Sequence, residues 1–226
     1  RKYYAAAMTQ LKVWFLDKET FMYPNLEYGQ VLPGHNNNHG RSTGLISMYD
    51  ILLQTTESVR LLEYTTPLPD DVYKGMQKWM GDFLDWCLTS KIGIEADKGV
   101  ANTGLAFHVT KLNLAVFAGR KDIIKRQTEG FKPLRLDVQI ANDGSMPEEL
   151  KRTKSYGYSI YNLTHIVDFC IIQENLGNRY YRRNKKLIDS AFAFLIPYIG
   201  KRDEWQYEQI DEWSSYDTRL IRQVVR

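Results

Sequence analysis

The densest group of side chains able to move protons and hold anions lies in residues 143–169 of the 226-residue chain. Its cations and phenols are Lys151, Arg152, Lys154, Tyr156 and Tyr158. At the helical period of about 3.6 residues, Tyr158, Asn162 and His165 fall on one polar face. A phenol, an amide and an imidazole therefore share a face near the guanidinium of Arg152, and side chains of these types can exchange protons and bind anions.

The elements that must position this group can be read from its flanks. Asp143-Gly144-Ser145 is a turn signal, and the residues after it, Met146-Pro147-Glu148-Glu149, fit a helix start, because proline suits the first helical position and acids suit the first turn. The amphipathic run that follows predicts a long helix carrying the polar face.

A second polar stretch lies in a long predicted loop, residues 17–42, and reads His35-Asn36-Asn37-Asn38-His39-Gly40-Arg41. A loop of this length is usually functional or disordered, and its aromatic residues favour order. It fits a metal site, a set of hydrogen-bond partners for carbohydrate, or an exposed polar loop. The metal site is the least favoured, because asparagine is a poor ligand for transition metals.

Composition places the chain among globular proteins. With 43% apolar and 25% charged residues and a net charge of +3, it is long and apolar enough to bury a substantial core. It has no run of about 18 apolar residues, so no membrane span is predicted. The chain opens on Arg1 rather than methionine, so we expect a processed or trimmed N-terminus with upstream sequence missing.

Two local features bear on the compartment and on the partner. Cys87 and Cys170 each lie on an apolar helical stripe, which favours buried free thiols over a disulfide or a metal pair and leaves the redox compartment open. Basic residues cluster at 151–154 and at 179–186. These clusters are either solvated helix faces or surfaces that attract an acidic polymer.

Helical periodicity accounts for most of the remaining chain. Besides the central segment, the predicted helices cover residues 2–15, 43–63, 70–88, 102–118, 121–130, 131–140 and 182–199. Asp70 or Asp71 is the predicted N-cap of its helix, residues 93–99 form a turn-rich connection, and Gly119 ends the apolar inner helix. About eight helices joined in antiparallel pairs predict an all-α fold, an α/α toroid that is an incomplete barrel of helix pairs.

Three stretches resemble one known family. The alginate lyase-like polysaccharide lyases, which include alginate and glucuronan lyases, carry a segment Arg-Thr-x-Ser-x-x-Tyr-Ser. The central segment resembles it in Asp143-Gly144-Ser145, Pro147, Glu149-Leu150, Arg152-Thr153, Ser155, Tyr158-Ser159 and Asn162-Leu163. A second stretch is similar to the family's Asn-Pro-Asn-Leu, Pro-Gly and Gly-Arg-Gly loop and reads Pro24-Asn25-Leu26-Glu27-Tyr28-Gly29-Gln30, Pro33-Gly34, Gly40-Arg41 and Gly44-Leu45-Ile46. The third resembles the family's Trp-Pro-Tyr-x-x-Ile and reads Trp205-Gln206-Tyr207-Glu208-Gln209-Ile210.

The resemblance implies a polysaccharide lyase whose single α/α toroid domain covers residues 1–226 and whose partner is an acidic polysaccharide. It implies a secreted or periplasmic location, and we expect no cofactor, no metal ion, and neither nucleic acid nor membrane as a partner. In the family the arginine of the central segment and the tyrosine six residues on belong to the active site. Here these are Arg152 and Tyr158.

The chemistry implied is β-elimination on a polymer of uronic acids. The proton at C5 must be removed beside the carboxylate, while the glycosidic oxygen at C4 leaves and receives a proton. Arg152 and Asn102 are the candidates for neutralising the carboxylate, and Tyr158 is the candidate for accepting and returning the proton. His39 is a further catalytic candidate. The candidate substrate contacts are His35, Asn38, Arg41, Tyr156, His165 and Trp205.

One position departs from the family pattern. Members carry Asn-Asn-His-Gly at the start of the inner helix, and this chain has Ala101-Asn102-Thr103-Gly104. Threonine cannot act as a base near neutral pH, so three hypotheses stay open. Tyr158 makes both proton transfers, His39 or His108 replaces the missing base, or the protein binds polysaccharide without cleaving it.

Other roles compete for the same residues. Arg152 can form a salt bridge with Glu148 or Glu149, and Tyr158 can be a half-buried ring whose hydroxyl donates to a backbone carbonyl. A glycoside hydrolase on the same fold would need two carboxylates flanking the bond. The acids nearest the proposed site, Asp143, Glu148 and Glu149, fit a helix start better than such a pair.

Overall fold

In the computed structural model, residues 2–224 are described, except for the side chains of Lys2 and Asn36. The first residue and the last two residues of the predicted 1–226 domain lie outside this range. The described chain is predominantly helical, which confirms the all-α fold class. Its α-helices are α1 (Lys2–Leu11), α2 (Tyr49–Thr65), α3 (Asp70–Thr89), α4 (Lys91–Asp97), α5 (Asn102–Phe117), α6 (Lys121–Phe131), α7 (Asp137–Gln139), α8 (Pro147–Leu150), α9 (Ser155–Asn175), α10 (Tyr180–Leu195) and α11 (Ser214–Val224).

Shorter turns of other helix types join these elements. They are the 3-10 turns Asn36–Asn38, Ser42–Met48, Ile196–Tyr198 and Arg202–Glu204 and the π-helical turns Lys12–Leu16 and Lys132–Leu136. Extended pairing within residues 2–224 is limited to one antiparallel bridge between Lys154 and Gln209. In the same range, no helix combines the length and the apolar character that a bilayer span requires.

The chain divides into two compact units. The first comprises residues 1–97 and 110–125, and the second comprises residues 98–109 and 126–226. Helix α5 therefore contributes its N-terminal part to the second unit and its C-terminal part to the first. The single domain and the toroid stay predictions.

In the first unit, the core forms around the buried face of α3. The Trp79 ring stacks on Phe83 with centroids 5.5 Å apart, and Phe15 packs edge-on against Trp79 at 4.8 Å. The indole N–H of Trp79 donates to the carbonyl oxygen of Met22 at 2.7 Å, so the ring is buried with its polar atom satisfied. This contact anchors the start of the long loop on α3.

In the second unit, α9 is enclosed on more than one side. Phe169 stacks on Phe131 of α6 with centroids 3.5 Å apart, and Tyr180 of α10 packs edge-on against Phe169 at 4.9 Å. The residues of its first half that are buried include Ser159, Ile160, Asn162, Leu163, His165 and Ile166. Because this run covers successive faces of the helix, the apolar face of α9 and the part of the predicted polar face with Asn162 and His165 both point into the core.

Several predicted boundaries were wrong, for local reasons. Asp70 and Asp71 do not cap α3, which begins at Asp70 after Pro69 without a side-chain cap; they occupy the first turn, where carboxylates favour the helix dipole. Residues 93–99 are not a turn but belong largely to α4. A Cβ at Gly93 would lie 1.9 Å from the Cys87 carbonyl oxygen, so glycine allows α4 to lie directly against the end of α3.

Other boundaries moved because helix types change along the chain. The helix predicted at 43–63 begins as the 3-10 turn Ser42–Met48, and the one at 131–140 is a π-helical turn followed by α7. Helix α11 was not predicted, because its amphipathic run is short. Its buried residues are Leu220 and Gln223. Gly119 does end α5, with φ +71°.

The cysteine prediction was confirmed. Cys87 and Cys170 are buried free thiols. Burial raises the pKa of Cys170 to about 12, and Glu174 adds to the effect. A thiol held protonated in this way is a poor nucleophile, so Cys170 has a packing role.

Candidate active site

The candidate site is built on the N-terminal turn of α9 and the link that precedes it. Tyr158 lies in the first turn of α9, and Arg152 lies between α8 and α9. The guanidinium carbon of Arg152 is 4.2 Å from the centroid of the Tyr158 ring. Arg152 is exposed and Tyr158 is half-buried, so an exposed cation stacks on the ring whose hydroxyl is the proposed proton carrier.

Arg152 differs from the other cations of this segment. Lys151 pairs with Glu148 at 2.5 Å, and Lys154 pairs with Asp211 at 2.7 Å. No carboxylate within residues 2–224 forms an ion pair with Arg152, so the alternative of a salt bridge to Glu148 or Glu149 was wrong. The guanidinium fork therefore remains available for a carboxylate from outside the protein.

The Tyr158 hydroxyl is also available to a group from outside the protein. Its backbone N–H donates to the Lys154 carbonyl oxygen at 2.8 Å, as helix geometry requires. In the described part of the chain, no group is hydrogen-bonded to the phenolic oxygen, so the alternative of a hydroxyl held by a backbone carbonyl is not what the structure has. A hydroxyl without an internal partner can exchange a proton with a ligand.

Asn102 is held by Glu149. One carboxylate oxygen of Glu149 accepts the backbone N–H of Asn102 at 2.6 Å, and the other accepts the side-chain amide N–H at 2.5 Å. Burial raises the pKa of Glu149, while the Asn102 hydrogen bonds and the charge of Arg152 act in the opposite direction. Glu149 thus caps α5 from outside the helix and orients the Asn102 amide.

The glycine two residues after Asn102 is required by packing. A Cβ at Gly104 would lie 2.1 Å from the carbonyl oxygen of Gly99. The backbone leading into α5 therefore passes too close to Gly104 for any side chain. Thr103, between Asn102 and Gly104, is half-buried in the first turn of α5.

The polar loop of the first unit is ordered by its own hydrogen bonds. Gly40 donates its N–H to the carbonyl oxygen of Glu27 at 2.7 Å. Arg41 donates from its side chain to the backbone and side-chain oxygens of Gln30, both at 3.1 Å, which is a structural role. Asn38 accepts the Gly34 N–H at 3.1 Å.

The histidines of this loop are accessible. His39 lies 3.2 Å from Glu27 and stacks on Tyr28, with half of its side chain exposed, and His35 is exposed as well. In residues 2–224, no group of three or more histidine, cysteine, aspartate or glutamate side chains is placed to hold a metal ion. Carbohydrate contact and a plain polar loop stay the favoured predictions for this loop.

Comparison with known proteins decides the family. A sequence model of the family described as alginate lyase matches residues 1–205. The chain belongs to the alginate lyase family. It is also similar to the crystal structure of an alginate lyase from Bacteroides ovatus, solved at 1.60 Å resolution, with a TM-score of 0.93 and 37% sequence identity over 99% of this chain. The chain spans about 60% of the length of that protein's chain, and no curated protein matches it.

Three residues predicted as substrate contacts lie in the interior. Tyr156 is 0% exposed and donates its hydroxyl to Asp217 at 2.9 Å. Trp205 is buried and donates its indole N–H to the Ser155 hydroxyl at 2.9 Å. His165 is fully buried, with its ring edge-on to Tyr161 at 4.2 Å. No sugar can contact these side chains in this structure, because packing encloses all three.

His108, one candidate for the missing base, has a similar place. It is 2% exposed, and its Nε2–H donates to the Gln127 carbonyl oxygen at 2.8 Å. Its ring packs edge-on against Phe131 at 5.2 Å. His108 is therefore a hydrogen-bonded core residue, and the structure does not support it as the base.

Several residues that hold the site together were not predicted to do so from the sequence. Glu149 was interpreted as part of a helix start or as a salt-bridge partner of Arg152, yet it fixes Asn102. At the start of α9, the Ser155 hydroxyl donates to the Glu208 carbonyl oxygen, and Gln209 accepts the Tyr156 N–H. Glu149, Ser155 and Gln209 fall inside the stretches that resemble the family, which was the signal that could have identified them.

Buried His165 leads to a prediction about pH. Burial, with a smaller contribution from Arg219, lowers its pKa to about 3, against about 6.5 in an unfolded chain. The stability that comes from the neutral ring is therefore present above about pH 6.5 and lost as the pH falls from about 6.5 towards 3. Within this window, we expect His165 to lower the free energy of unfolding by about 1.4 kcal/mol per pH unit.

Urea unfolding at several pH values between about 4.5 and 7.5 tests this. His165→Gln cannot titrate, so its free energy of unfolding should fall less steeply with acidification than that of the wild type. The matched control is His35→Gln, which changes an exposed histidine and should keep the wild-type slope. Parallel slopes for the wild type and His165→Gln would contradict the prediction.

Proposed function

We propose that this protein is a polysaccharide lyase that cleaves a polymer of uronic acids by β-elimination. The observation that carries the proposal is the pairing of Arg152 with Tyr158: an exposed guanidinium that forms no ion pair within residues 2–224 lies over a ring whose hydroxyl has no hydrogen-bond partner in the same range. Such a pair can hold a carboxylate and move a proton beside it.

In this mechanism, Arg152 binds the carboxylate of the uronate next to the bond that breaks. Neutralising that charge makes the C5 proton acidic, because the negative charge that develops on removal of the proton spreads into the carboxylate. Tyr158, as the phenolate, accepts the C5 proton and returns it to the glycosidic oxygen leaving C4. The products are a new chain end and a sugar with a C4–C5 double bond.

Asn102 was the second candidate for neutralising the carboxylate, but it is 1% exposed and its amide N–H is donated to Glu149, so in this proposal it orders the start of α5 and does not contact the substrate. His39 and His35 are proposed as accessible contacts for the polymer, together with Asn38. Of the site residues predicted from the sequence, the proposal keeps Arg152 and Tyr158 as catalytic residues and His35, Asn38 and His39 as polymer contacts. Arg41 orders the loop that carries these three.

The substrate class proposed is an acidic polysaccharide of the alginate or glucuronan type. The support is family membership together with the exposed guanidinium, which suits a planar carboxylate. A secreted or periplasmic location follows from the same proposal, because such polymers lie outside the cytoplasm.

Incubation with purified polyuronates tests the function. Alginate and glucuronan should each be compared with a neutral polysaccharide, while near-ultraviolet absorbance and reducing ends are both followed. A lyase creates both signals, because the new double bond is conjugated with the carboxylate. New reducing ends without absorbance would indicate a hydrolase, and binding without either signal would indicate a non-catalytic relative.

A substitution at Thr103 tests whether Tyr158 makes both proton transfers or whether the base was lost with the family histidine. If Tyr158 makes both proton transfers, the wild type is active and Thr103→His gives no gain, because the imidazole must fit beside Gly104 in a turn packed closely against Gly99. We expect this result, measured as initial rates on the best polyuronate. A large gain in Thr103→His would show that the base had been lost with the histidine.

His39→Ala is the control for the remaining histidine. Full activity in this variant would exclude His39 as the base and leave Tyr158 as the proton carrier. Loss of activity would assign the base to the polar loop. No activity in the wild type or in either variant would favour the binding protein.

A further inference from the structure

The start of α9 is capped by a distant part of the chain. The first N–H groups of a helix have no acceptor within the helix, and Lys154 at the N-cap position supplies no side-chain hydrogen bond. Instead, Ser155 N–H donates to the Glu208 carbonyl oxygen at 3.1 Å, and the N–H groups of Tyr156 and Gly157 donate to Gln209 Oε1 at 3.0 and 3.2 Å.

The segment that supplies these acceptors, residues 205–217, is called the C-terminal strap below. It is tied to the same turn by side chains. The Trp205 indole donates to the Ser155 hydroxyl at 2.9 Å, and that hydroxyl donates to the Glu208 carbonyl oxygen at 2.6 Å. The Ile210 N–H donates to the Thr153 carbonyl oxygen at 3.0 Å. The strap therefore fixes the backbone on both sides of the helix start.

Two further contacts close the strap over this turn. Tyr216 passes so near Gly157 that a Cβ there would lie 2.5 Å from its ring, and its hydroxyl donates to Asp211 at 3.0 Å. The Tyr156 ring stacks on Trp213 with centroids 3.9 Å apart. The residues on either side of Gly157 in α9 are thus Tyr156, locked under the strap, and Tyr158, the proposed proton carrier.

We propose that Gln209 is a positioning residue for Tyr158, and that the C-terminal strap sets the geometry of the active site through it. This rests on the proposed function. Gln209 binds the two N–H groups that immediately precede Tyr158, and so it holds the turn from which the Tyr158 side chain projects. Without this acceptor the first turn loses two of its hydrogen bonds, and the phenol moves relative to a bound sugar.

The chemistry of Gln209 indicates which substitution separates positioning from general stability. Oε1 faces both donors, so Nε2 points away, and it is buried without a hydrogen-bond partner among the described residues. Glutamate in its place keeps the acceptor, removes the unsatisfied donor and places a negative charge at a helix N-terminus, where it is favourable. Methionine has a similar length and offers no comparable acceptor.

Kinetics of Gln209→Met and Gln209→Glu test the proposal well below their melting temperatures. Because an ångström of misplacement at a reacting group can cost up to about two powers of ten in rate, we expect kcat of Gln209→Met to fall roughly 10- to 100-fold with KM little changed. Gln209→Glu should keep kcat near the wild-type value. The matched control is Gln206→Met, the same change at an exposed strap position. Wild-type kcat in Gln209→Met would overturn the proposal.

Two further readouts do not depend on activity, and the first of them needs only the wild type. In the wild type, hydrogen exchange at the amides of Ser155, Tyr156 and Gly157 should be slow, and exchange as fast as in exposed loops would overturn the proposal. The Tyr158 ring signal in NMR spectra, assigned by its absence in Tyr158→Phe, should move in Gln209→Met and stay in place in Gln209→Glu. Lack of polyuronate cleavage by the wild type would refute the proposed function while leaving these two measurements as the test of positioning.

Discussion

Tyr158→Phe is expected to lower turnover on the cleaved polyuronate by roughly 10²- to 10⁴-fold, the usual contribution of a positioned general acid and base. Only the hydroxyl is removed, and the ring that stacks on Arg152 stays. Because that hydroxyl has no internal hydrogen-bond partner within residues 2–224, its loss should change the free energy of unfolding by less than about 0.5 kcal/mol. The effect should appear in kcat, with KM nearly unchanged.

The measurement is steady-state kinetics by near-ultraviolet absorbance, combined with urea unfolding of each variant. Tyr64→Phe is the matched control. It removes the same hydroxyl away from the proposed site, because Tyr64 lies in α2 and is 90% exposed. Turnover near the wild-type rate in Tyr158→Phe would mean that Tyr158 only packs and that the mechanism is wrong.

Arg152→Lys should lower kcat/KM by roughly 10²-fold, although it keeps the positive charge. A guanidinium grips a carboxylate through two parallel N–H donors in a plane, and an ammonium cannot reproduce that fork. Lysine also loses the contact of the guanidinium with the Tyr158 ring, whose centroid lies 4.2 Å from the guanidinium carbon. Both the carboxylate and the cation that neutralises it would then be less well placed.

The control for Arg152 is Arg126→Lys, which makes the same change at an exposed arginine of α6. Binding of a short uronate oligomer to Arg152→Lys and to Arg152→Gln, measured calorimetrically, separates charge from geometry: the lysine variant should bind better than the glutamine variant, and neither should cleave at the wild-type rate. An unimpaired Arg152→Lys enzyme would show that this residue does not orient the carboxylate.

The pairing of Arg152 and Tyr158 could be predicted from the sequence because it is local. The two residues are six apart, on either side of a helix start, so short-range geometry places them close together. The turn at Asp143, the start of α8 at Pro147 and the end of α5 before Gly119 were predictable for the same reason: proline and glycine have preferences that neighbouring residues alone determine.

The polar face of α9 shows where such reasoning fails. Periodicity correctly placed Tyr158, Asn162 and His165 on one side of the helix, but Asn162 and His165 are 0% exposed while Tyr158 is half-buried. A helical period states which residues share a face; it does not state what packs against that face. For this reason His165 was predicted to bind substrate when it belongs to the core.

Trp205, Tyr156 and Gln209 show the same limit over a longer distance. Tyr156 and Trp205 were predicted to contact the substrate, yet they donate to Asp217 and Ser155. Gln209, to which no role was assigned, accepts from the helix start more than 50 residues earlier. Helix-capping signals are usually sought within a few residues of the helix, and here the acceptor comes from another part of the chain.

Helix periods and turn residues were thus enough to predict an all-α chain, and the resemblance of three short motifs to a known family predicted the family and the candidate pair of a guanidinium and a phenol, because all of these are properties of consecutive residues. Only the tertiary structure decided which cation lacks a carboxylate partner, which histidines are accessible, and which residues hold Asn102 and the first turn of α9. Those outcomes depend on groups that are far apart in the sequence and compete for the same hydrogen bonds and the same space. Burying a polar group without a hydrogen-bond partner costs free energy, so the fold pairs most of the polar groups that it buries.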